Sequence, residues 1–314
     1  MTSDLSKAGA HAGAASIVIV GGGHAGAQLC GALASAGLAR GCHLVCAEPW
    51  LPYQRPPLSK AFLKSPTEAL QSHRPEAWYA DNGIIVHRGD AAVAIDREAH
   101  TLTLASGVVL PYTRLVLATG ARARGLPSLP DGLANVAILR GADDAQRLRE
   151  RQALARHLTV LGGGFIGLEV AATARAQGLS VTVLEAAPRL LQRSVSPELS
   201  AHVLDTHRAA GIDVRLGARV GEFVLDGQRL LSLGVDGVQT PVDLLLLGIG
   251  SRPDTALAEA CGISRNHYQL LENGISNRRS RKPANPRLST LVALSQALGM
   301  SPAELVAEVL AERG

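Results

Sequence analysis

Aromatic residues are scarce: three Phe, four Tyr and two Trp make up 3% of the 314 residues. So little aromatic surface argues against a protein that stacks the bases of single-stranded nucleic acid. Cysteine is scarce too. Cys30, Cys42, Cys46 and Cys261 form no C-x-x-C pair and no zinc spacing, so no metal site is assigned. Cys42 and Cys46 lie in an apolar, strand-like run and read as buried, reduced thiols. No apolar run approaches the roughly 18 residues that a membrane span requires. The leader "MTSDLSKAGAHAGAAS" carries Asp4 and Lys7 and has no apolar centre, so it does not read as a signal peptide and the cytoplasm is the default location. The net charge of +4 is too small to announce a nucleic-acid partner.

Glycine is abundant, at 33 residues, in a chain that is 46% hydrophobic and 18% charged. That balance suits a globular protein of two or three domains built from nucleotide-binding α/β units. The segment "SIVIVGGGHAGAQLCGALASAGL" reads as a β-branched strand, a glycine turn and an Ala-rich helix. "CHLVCAE" reads as a second strand. "GIIVHRGDAAVAID" and "HTLTLASGVVLPYTRLVLATG" supply more, with a hairpin about Ser106 and Gly107. "LPSLPDGL", residues 126–133, reads as a linker from its Pro and Gly punctuation. The strand–glycine–helix–strand order then begins again at "HLTVLGGGFIGLEVAATARAQGLSVTVLEAAP", with its glycine cluster 141 positions after the first. That separation fits two domains of similar build and not a short-period repeat.

Gly21, Gly23 and Gly26 form G-x-G-x-x-G directly after the first strand, and Gly162, Gly164 and Gly167 repeat it. In such a motif the first glycine makes the tight turn, the second admits a pyrophosphate to the backbone, and the third lets helix and strand pack closely. The helix that follows offers unpaired N–H groups to the phosphates. Glu48 and Glu185 stand at the ends of the next strands, where a carboxylate accepts from ribose hydroxyls. Glu185 would repel a 2′-phosphate, which favours NADH over NADPH, although Arg189 and Arg193 are near. One such motif is weak on its own; two, each with an acid at the expected distance, are a strong signal.

At these residues the chain resembles the FAD-dependent pyridine-nucleotide oxidoreductases, in the ferredoxin, rubredoxin and putidaredoxin reductase branch. "PYQRPPLSKAFL" is similar to that branch's segment after the second strand, which implies FAD contacts for Arg55 and Lys60; the alternative is a solvated proline-rich loop. "LVLATGAR", with Thr119 and Gly120, resembles the family's exit turn from the FAD domain. "GGGFIGLE" resembles its NADH loop and implies a place near the nicotinamide for Glu169, against the alternative of an ordinary helix acid. Lys60 and Glu169 are the candidate catalytic residues. Gly250, in "GIGSRPDT", belongs to the family's G-x-R-P-x-T exit from the NADH domain. The wider family's disulfide reductases carry a cysteine pair that "EPWLPYQRPP" lacks, which argues against a dithiol relay. The chemistry implied is hydride transfer from NADH to FAD, then single electrons to an iron–sulfur ferredoxin or a rubredoxin.

The resemblance runs from about residue 16 to 260, and beyond it no glycine–aspartate turn or further strand follows. The FAD domain is therefore expected to lack its closing segment. The tail "TALAEACGISRNHYQLLENG" resembles the helix-turn-helix of Cro/repressor-like regulators, with residues 255–260 as the first helix and Ser264 capping the second. That resemblance implies base contacts from Arg265, Asn266, His267 and Gln269. Arg278 and Arg279 head a basic loop suited to phosphates, or simply to solvent. The expected architecture is α/β: a flexible leader (1–15), an FAD domain (16–125), an NADH domain (126–254), both Rossmann-like, and an all-α helix-turn-helix tail (255–314). The leading function is a flavin-dependent NADH reductase, possible impairment by truncation included. The alternatives are a DNA-binding regulator with a redox or NADH-sensing module, or a non-functional join of two incomplete parents near residues 256–263.

Overall fold

The computed structural model describes residues 16–260. Along the chain, β1 (Ile17–Val20), α1 (His24–Ser35) and β2 (His43–Cys46) come first. A segment follows with a short 3-10 helix, Pro56–Ser59, and α2 (Ala61–Lys64); then come α3 (Glu76–Asp81), β3 (Ile85–Arg88), β4 (Ala92–Asp96), β5 (Thr101–Leu104), β6 (Val109–Pro111) and β7 (Arg114–Leu117). The second half holds β8 (Ala121–Ala123), β9 (Val136–Ala137), α4 (Ala142–Leu154), β10 (His157–Leu161), α5 (Phe165–Ala176), β11 (Ser180–Glu185), α6 (Pro197–Ala209) and β12 (Asp213–Leu216). It ends with β13 (Val220–Asp226), β14 (Arg229–Val235), β15 (Val238–Pro241), β16 (Leu244–Leu247), β17 (Ser251–Pro253) and α7 (Ala256–Ala260).

Two compact units result. The first takes residues 16–52, 74–119 and 254–260 of the described chain; the second takes Tyr53–His73 and Gly120–Pro253. The reductase-like "PYQRPPLSK" segment thus packs, from Tyr53 onward, with the second unit.

In the first unit a parallel sheet runs β3-β2-β1-β7. "IVIV" forms its central strand because an unbroken β-branched run can be buried on both faces. Alternation sends Ile19 to one side, with Cys30, Leu44, Cys46 and Tyr79, and sends Val18 and Val20 to the other. There they meet Leu102, Leu104 and Leu110 of the antiparallel β4-β5-β6 layer. The hairpin about Ser106 and Gly107 is present, pairing Thr103 with Val109 and Leu102 with Leu110. Helix α7 packs on this same unit, where Leu257 joins the Val18–Leu102 cluster. Its apolar face is therefore used on a sheet domain. The remainder of the predicted helix-turn-helix lies outside the described residues.

The second unit repeats the order and adds a strand: β12-β11-β10-β16-β9, all parallel. A three-stranded antiparallel meander, β13-β14-β15, packs its Leu230, Leu233 and Val235 with Leu161, Leu184, Leu245 and Leu247. Leu129 and Leu133 belong to this core and are 7% and 3% exposed. The expectation of a linker over residues 126–133 is therefore corrected: the Pro and Gly residues set turns, while the leucines between them are structural. In the first unit β7 has β1 as its single strand neighbour among the described residues, whereas its counterpart β16 is flanked by β10 and β9.

Asn135, 4% exposed, ties the second unit together. Its Nδ2 donates to the carbonyls of Leu230, Asp243 and Val242 at 2.8, 3.1 and 3.3 Å, and its Oδ1 accepts from Leu230 N at 2.9 Å. Truncation to Ala strands these backbone groups in the core, so Asn135→Ala should cost about 3 kcal/mol, measured as a lowered urea midpoint. An unchanged midpoint would show that the network carries no stability.

A second expectation concerns pH. His43 Nδ1 and His87 Nε2 lie 2.9 Å apart with stacked rings, on neighbouring strands of the first unit. Burial lowers both pKa values below 6.5; His87 lowers His43 further, while Asp90 acts on His87 in the opposite sense. Burial lowers His157 as well, against the pull of Asp243 and Asp213. The unfolded chain then binds these protons first, so stability is full above about pH 6.5 and is lost as the pH falls through the folded values. The melting temperature should drop between about pH 7.5 and about pH 5, and the His43→Gln/His87→Gln double variant should flatten that drop. Equal drops in both proteins would remove the pair as its cause.

Candidate functional site

In the first unit the glycine loop links β1 to α1. Gly21 has φ +126°, and a Cβ there would overlap the carbonyl of Ala118 at the end of β7. A Cβ on Gly26 would overlap the carbonyl of Gly21, and one on Gly22 would strike Cys46 Sγ. Gly23 differs: it is the N-cap of α1, no side chain caps the helix, and a Cβ there would meet nothing within 4 Å. The loop thus holds a helix amino end open beside empty space, which is the shape a phosphate requires. Glu48 is half-buried two residues past β2. Thr119 has its hydroxyl on the carbonyl of Asp254 at 2.6 Å, tying the A-T-G turn to the chain that enters α7.

The second unit reproduces this construction. Gly162 has φ +110° and abuts the carbonyl of Gly248 beyond β16; Gly167 abuts the carbonyl of Gly162; Gly164 caps α5 and faces open space. Glu185 accepts hydrogen bonds from the backbone N–H groups of Gly163 and Ala187, the latter at 2.7 Å. Its carboxylate is therefore held beside the loop. The Arg189 guanidinium donates to the carbonyls of Val195 (2.9 Å) and Gln192 (2.8 Å). Arg193 is exposed. Gly120 and Gly250 both have positive φ, and the Gly250 carbonyl accepts from Arg124 N.

The structure brings Lys60 and Glu169 together. Lys60 Nζ lies 2.7 Å from Glu169 Oε2, and Ser59 Oγ donates to the same oxygen. Arg55 stacks on the Tyr53 ring at 5.2 Å and donates to the carbonyl of Arg140 at 2.7 Å. The segment is fastened further by Ala142 N donating to Tyr53 Oη and by Arg149 donating to the carbonyls of Phe62 and Ser65. Sequence reading passed over Ser59, Tyr53, Arg149 and Thr173. Thr173 carried one usable signal, its position four residues after Glu169 on one helix face. Arg265, Asn266, His267, Gln269, Arg278 and Arg279 lie outside the described residues.

Cys30, Cys42 and Cys46 are buried free thiols, and burial pushes Cys30 and Cys46 up to about 12. The same burial raises Cys42, and the thiolate is disfavoured at all three. A hollow of 310 Å³ in the second unit is lined by Leu126, Ser128, Leu161, Val220, Gly221, Glu222 and Phe223, and by none of the candidate residues.

These placements separate two kinds of glycine. Gly23→Ala and Gly164→Ala should melt like the wild type without cofactor yet bind a dinucleotide at least about tenfold more weakly, since the new methyl stands where phosphate approaches. Gly21→Ala and Gly162→Ala should lose the fold, because backbone must move. Melting curves and equilibrium dialysis check both halves. A cofactor-free Gly23→Ala protein that fails to fold would refute the distinction.

The ferredoxin–NAD(+) reductase component of the p-cumate 2,3-dioxygenase system of Pseudomonas putida is 42% identical over 238 residues, covering 76% of this chain and 58% of the relative. Putidaredoxin reductase of the same organism is 39% identical, covering 82% and 62%. The ferredoxin reductase for the CYP199A2 system of Rhodopseudomonas palustris superposes with a TM-score of 0.74 at 44% identity, covering 79% of this chain and 61% of that one. The chain thus spans about three-fifths of the length of these relatives. Residues 15–273 match the family model described as pyridine nucleotide-disulphide oxidoreductase, and the chain, with its two glycine cradles, belongs to that family.

Proposed function

We propose that this chain is an NADH-dependent flavoprotein reductase that passes electrons to a ferredoxin- or rubredoxin-type acceptor. The observation that carries the reading is the pair of open helix amino ends, at Gly23 and Gly164, each in a loop that backbone contact shapes for a dinucleotide. The first cradle, with Gly21, Gly23, Gly26 and Glu48, would hold FAD. The second, with Gly162, Gly164, Gly167 and Glu185, would hold NADH. Arg55, Thr119, Gly120 and Gly250 complete the proposed cofactor contacts. When bound there, FAD would supply the chemistry that links a two-electron donor to a one-electron acceptor.

The protein's own part is binding and orientation. The α1 and α5 amino ends stabilise pyrophosphate charge. The Glu185 carboxylate, held by two N–H groups, accepts from ribose hydroxyls and repels a 2′-phosphate. Lys60 and Glu169 place opposite charges 2.7 Å apart and would orient the reacting ring system. The proposed acceptor class follows that of the similar reductases. The basic tail, read from sequence as a DNA-contacting segment, carries no part of this reading.

The test is spectroscopic. The full chain, purified and mixed with FAD, should take up flavin stoichiometrically and bleach on anaerobic addition of NADH. A chain that binds no FAD would overturn the reading. Glu185→Ala should narrow the preference for NADH over NADPH by about tenfold, equivalent to about 1.4 kcal/mol. An unaltered preference in that variant would place the discrimination elsewhere.

A further inference from the structure

Within the second unit, Ser59 is held at two atoms by one face of α5. Its hydroxyl donates to Glu169 Oε2, and its backbone carbonyl accepts from Thr173 Oγ1 at 2.8 Å. Glu169 and Thr173 are one turn apart on the helix, so their side chains rise from the same face. Ser59 and Thr173 are 4% and 8% exposed, and the bond between them is buried, which keeps water from substituting for it, while the Ser59 bond to Glu169 is part-buried. A helical threonine ordinarily has the carbonyl one turn back within reach of its hydroxyl. Here the hydroxyl reaches across to a different segment.

The consequence falls on the neighbour. Ser59 ends the 3-10 helix and Lys60 follows it, with Nζ on Glu169 Oε2. Lys60 and Glu169 are both partly exposed, at 52% and 32% of their side chains, and an ion pair of that kind holds its own geometry weakly. We propose that Ser59 and Thr173 are positioning residues: their buried clamp sets where Lys60 starts and which carboxylate oxygen of Glu169 it meets. With Oε2 shared between the Ser59 hydroxyl and the Lys60 ammonium, the orientation of the whole carboxylate is set, and Oε1 is directed as the remaining acceptor. The role rests on the functional reading above, because positioning the pair matters to the reaction through the ring system it orients. Neither residue touches the reacting atoms in this assignment.

Two experiments on the full-length chain separate the clamp from the function. In cofactor-free protein, the urea midpoints of Ser59→Ala, Glu169→Ala and the double variant should be non-additive, since either single change already removes the shared bond. Additive shifts would overturn the clamp. In FAD-loaded protein, Ser59→Ala and Thr173→Val should slow bleaching by saturating NADH by about tenfold, because small misplacements of an orienting group are costly in rate. The half-saturating NADH concentration should stay nearly constant, and Thr173→Ser, which keeps the hydroxyl, should recover most of the rate. Wild-type rates in Ser59→Ala and Thr173→Val, or no recovery in Thr173→Ser, would overturn the positioning role. Should the wild type bind no FAD, the functional reading fails on that result, and the cofactor-free cycle still decides the clamp.

Discussion

Backbone approach without a side chain is the constraint on which both halves of this protein depend. Gly21 lies against the Ala118 carbonyl and Gly162 against the Gly248 carbonyl, each with positive φ, and in each loop the third glycine of the motif lies against the carbonyl of the first. A methyl group at any of these four places would enter an occupied volume. The contacts bring the end of one strand (β7 or β16) onto the turn that follows another (β1 or β10), so that the helix after the turn begins where the parallel sheet ends. That helix start, uncapped by any side chain, is where anion-binding capacity is concentrated. Close packing therefore produces the open helix start as a geometric by-product.

The second organising feature is the fastening of residues 53–73 to the second unit. Five separate tethers, from Tyr53 Oη, Arg55, Ser59, Phe62 and Ser65, run to α4, α5 and the turn before α4. Two of the five fall on the segment's own carbonyls, at Phe62 and Ser65, so its path is held as well as its side chains. A loop rich in proline reads as solvated when taken alone. Here proline supplies stiffness, buried and part-buried hydrogen bonds supply position, and together they deliver one lysine to one glutamate.

Electrostatics reinforce the division between structure and chemistry. The three described cysteines are free and buried in the first unit's core, with Cys46 directly beneath Gly22. They act as small apolar groups. The partly exposed charges Lys60, Glu169 and Glu185, to which the proposed function gives the chemistry, are each set in place by N–H, hydroxyl or ionic partners.

Much of this was legible from the chain. Strand–glycine–helix order and the 141-residue offset determined two similar α/β units, because steric rules for glycine and the period of apolar residues are local properties. The hairpin about Gly107 and the acid at the end of β11 were legible for the same reason. The tertiary structure decided what depends on distant partners. Residues 126–133 look like a linker until Leu129 and Leu133 meet Leu230 and Leu233, a burial that punctuation by Pro and Gly does not reveal. Segment 53–73 is close in sequence to the first glycine loop, yet these hydrogen-bond partners, Arg140 and Arg149, lie more than eighty residues away in the second unit. The sequence by itself therefore determined the two cradles, whose glycines answer to their own backbone. Only the folded chain decided the company of Lys60, since Ser59 and Lys60 meet Glu169 and Thr173, themselves one turn apart on α5, through contacts that no local pattern encodes.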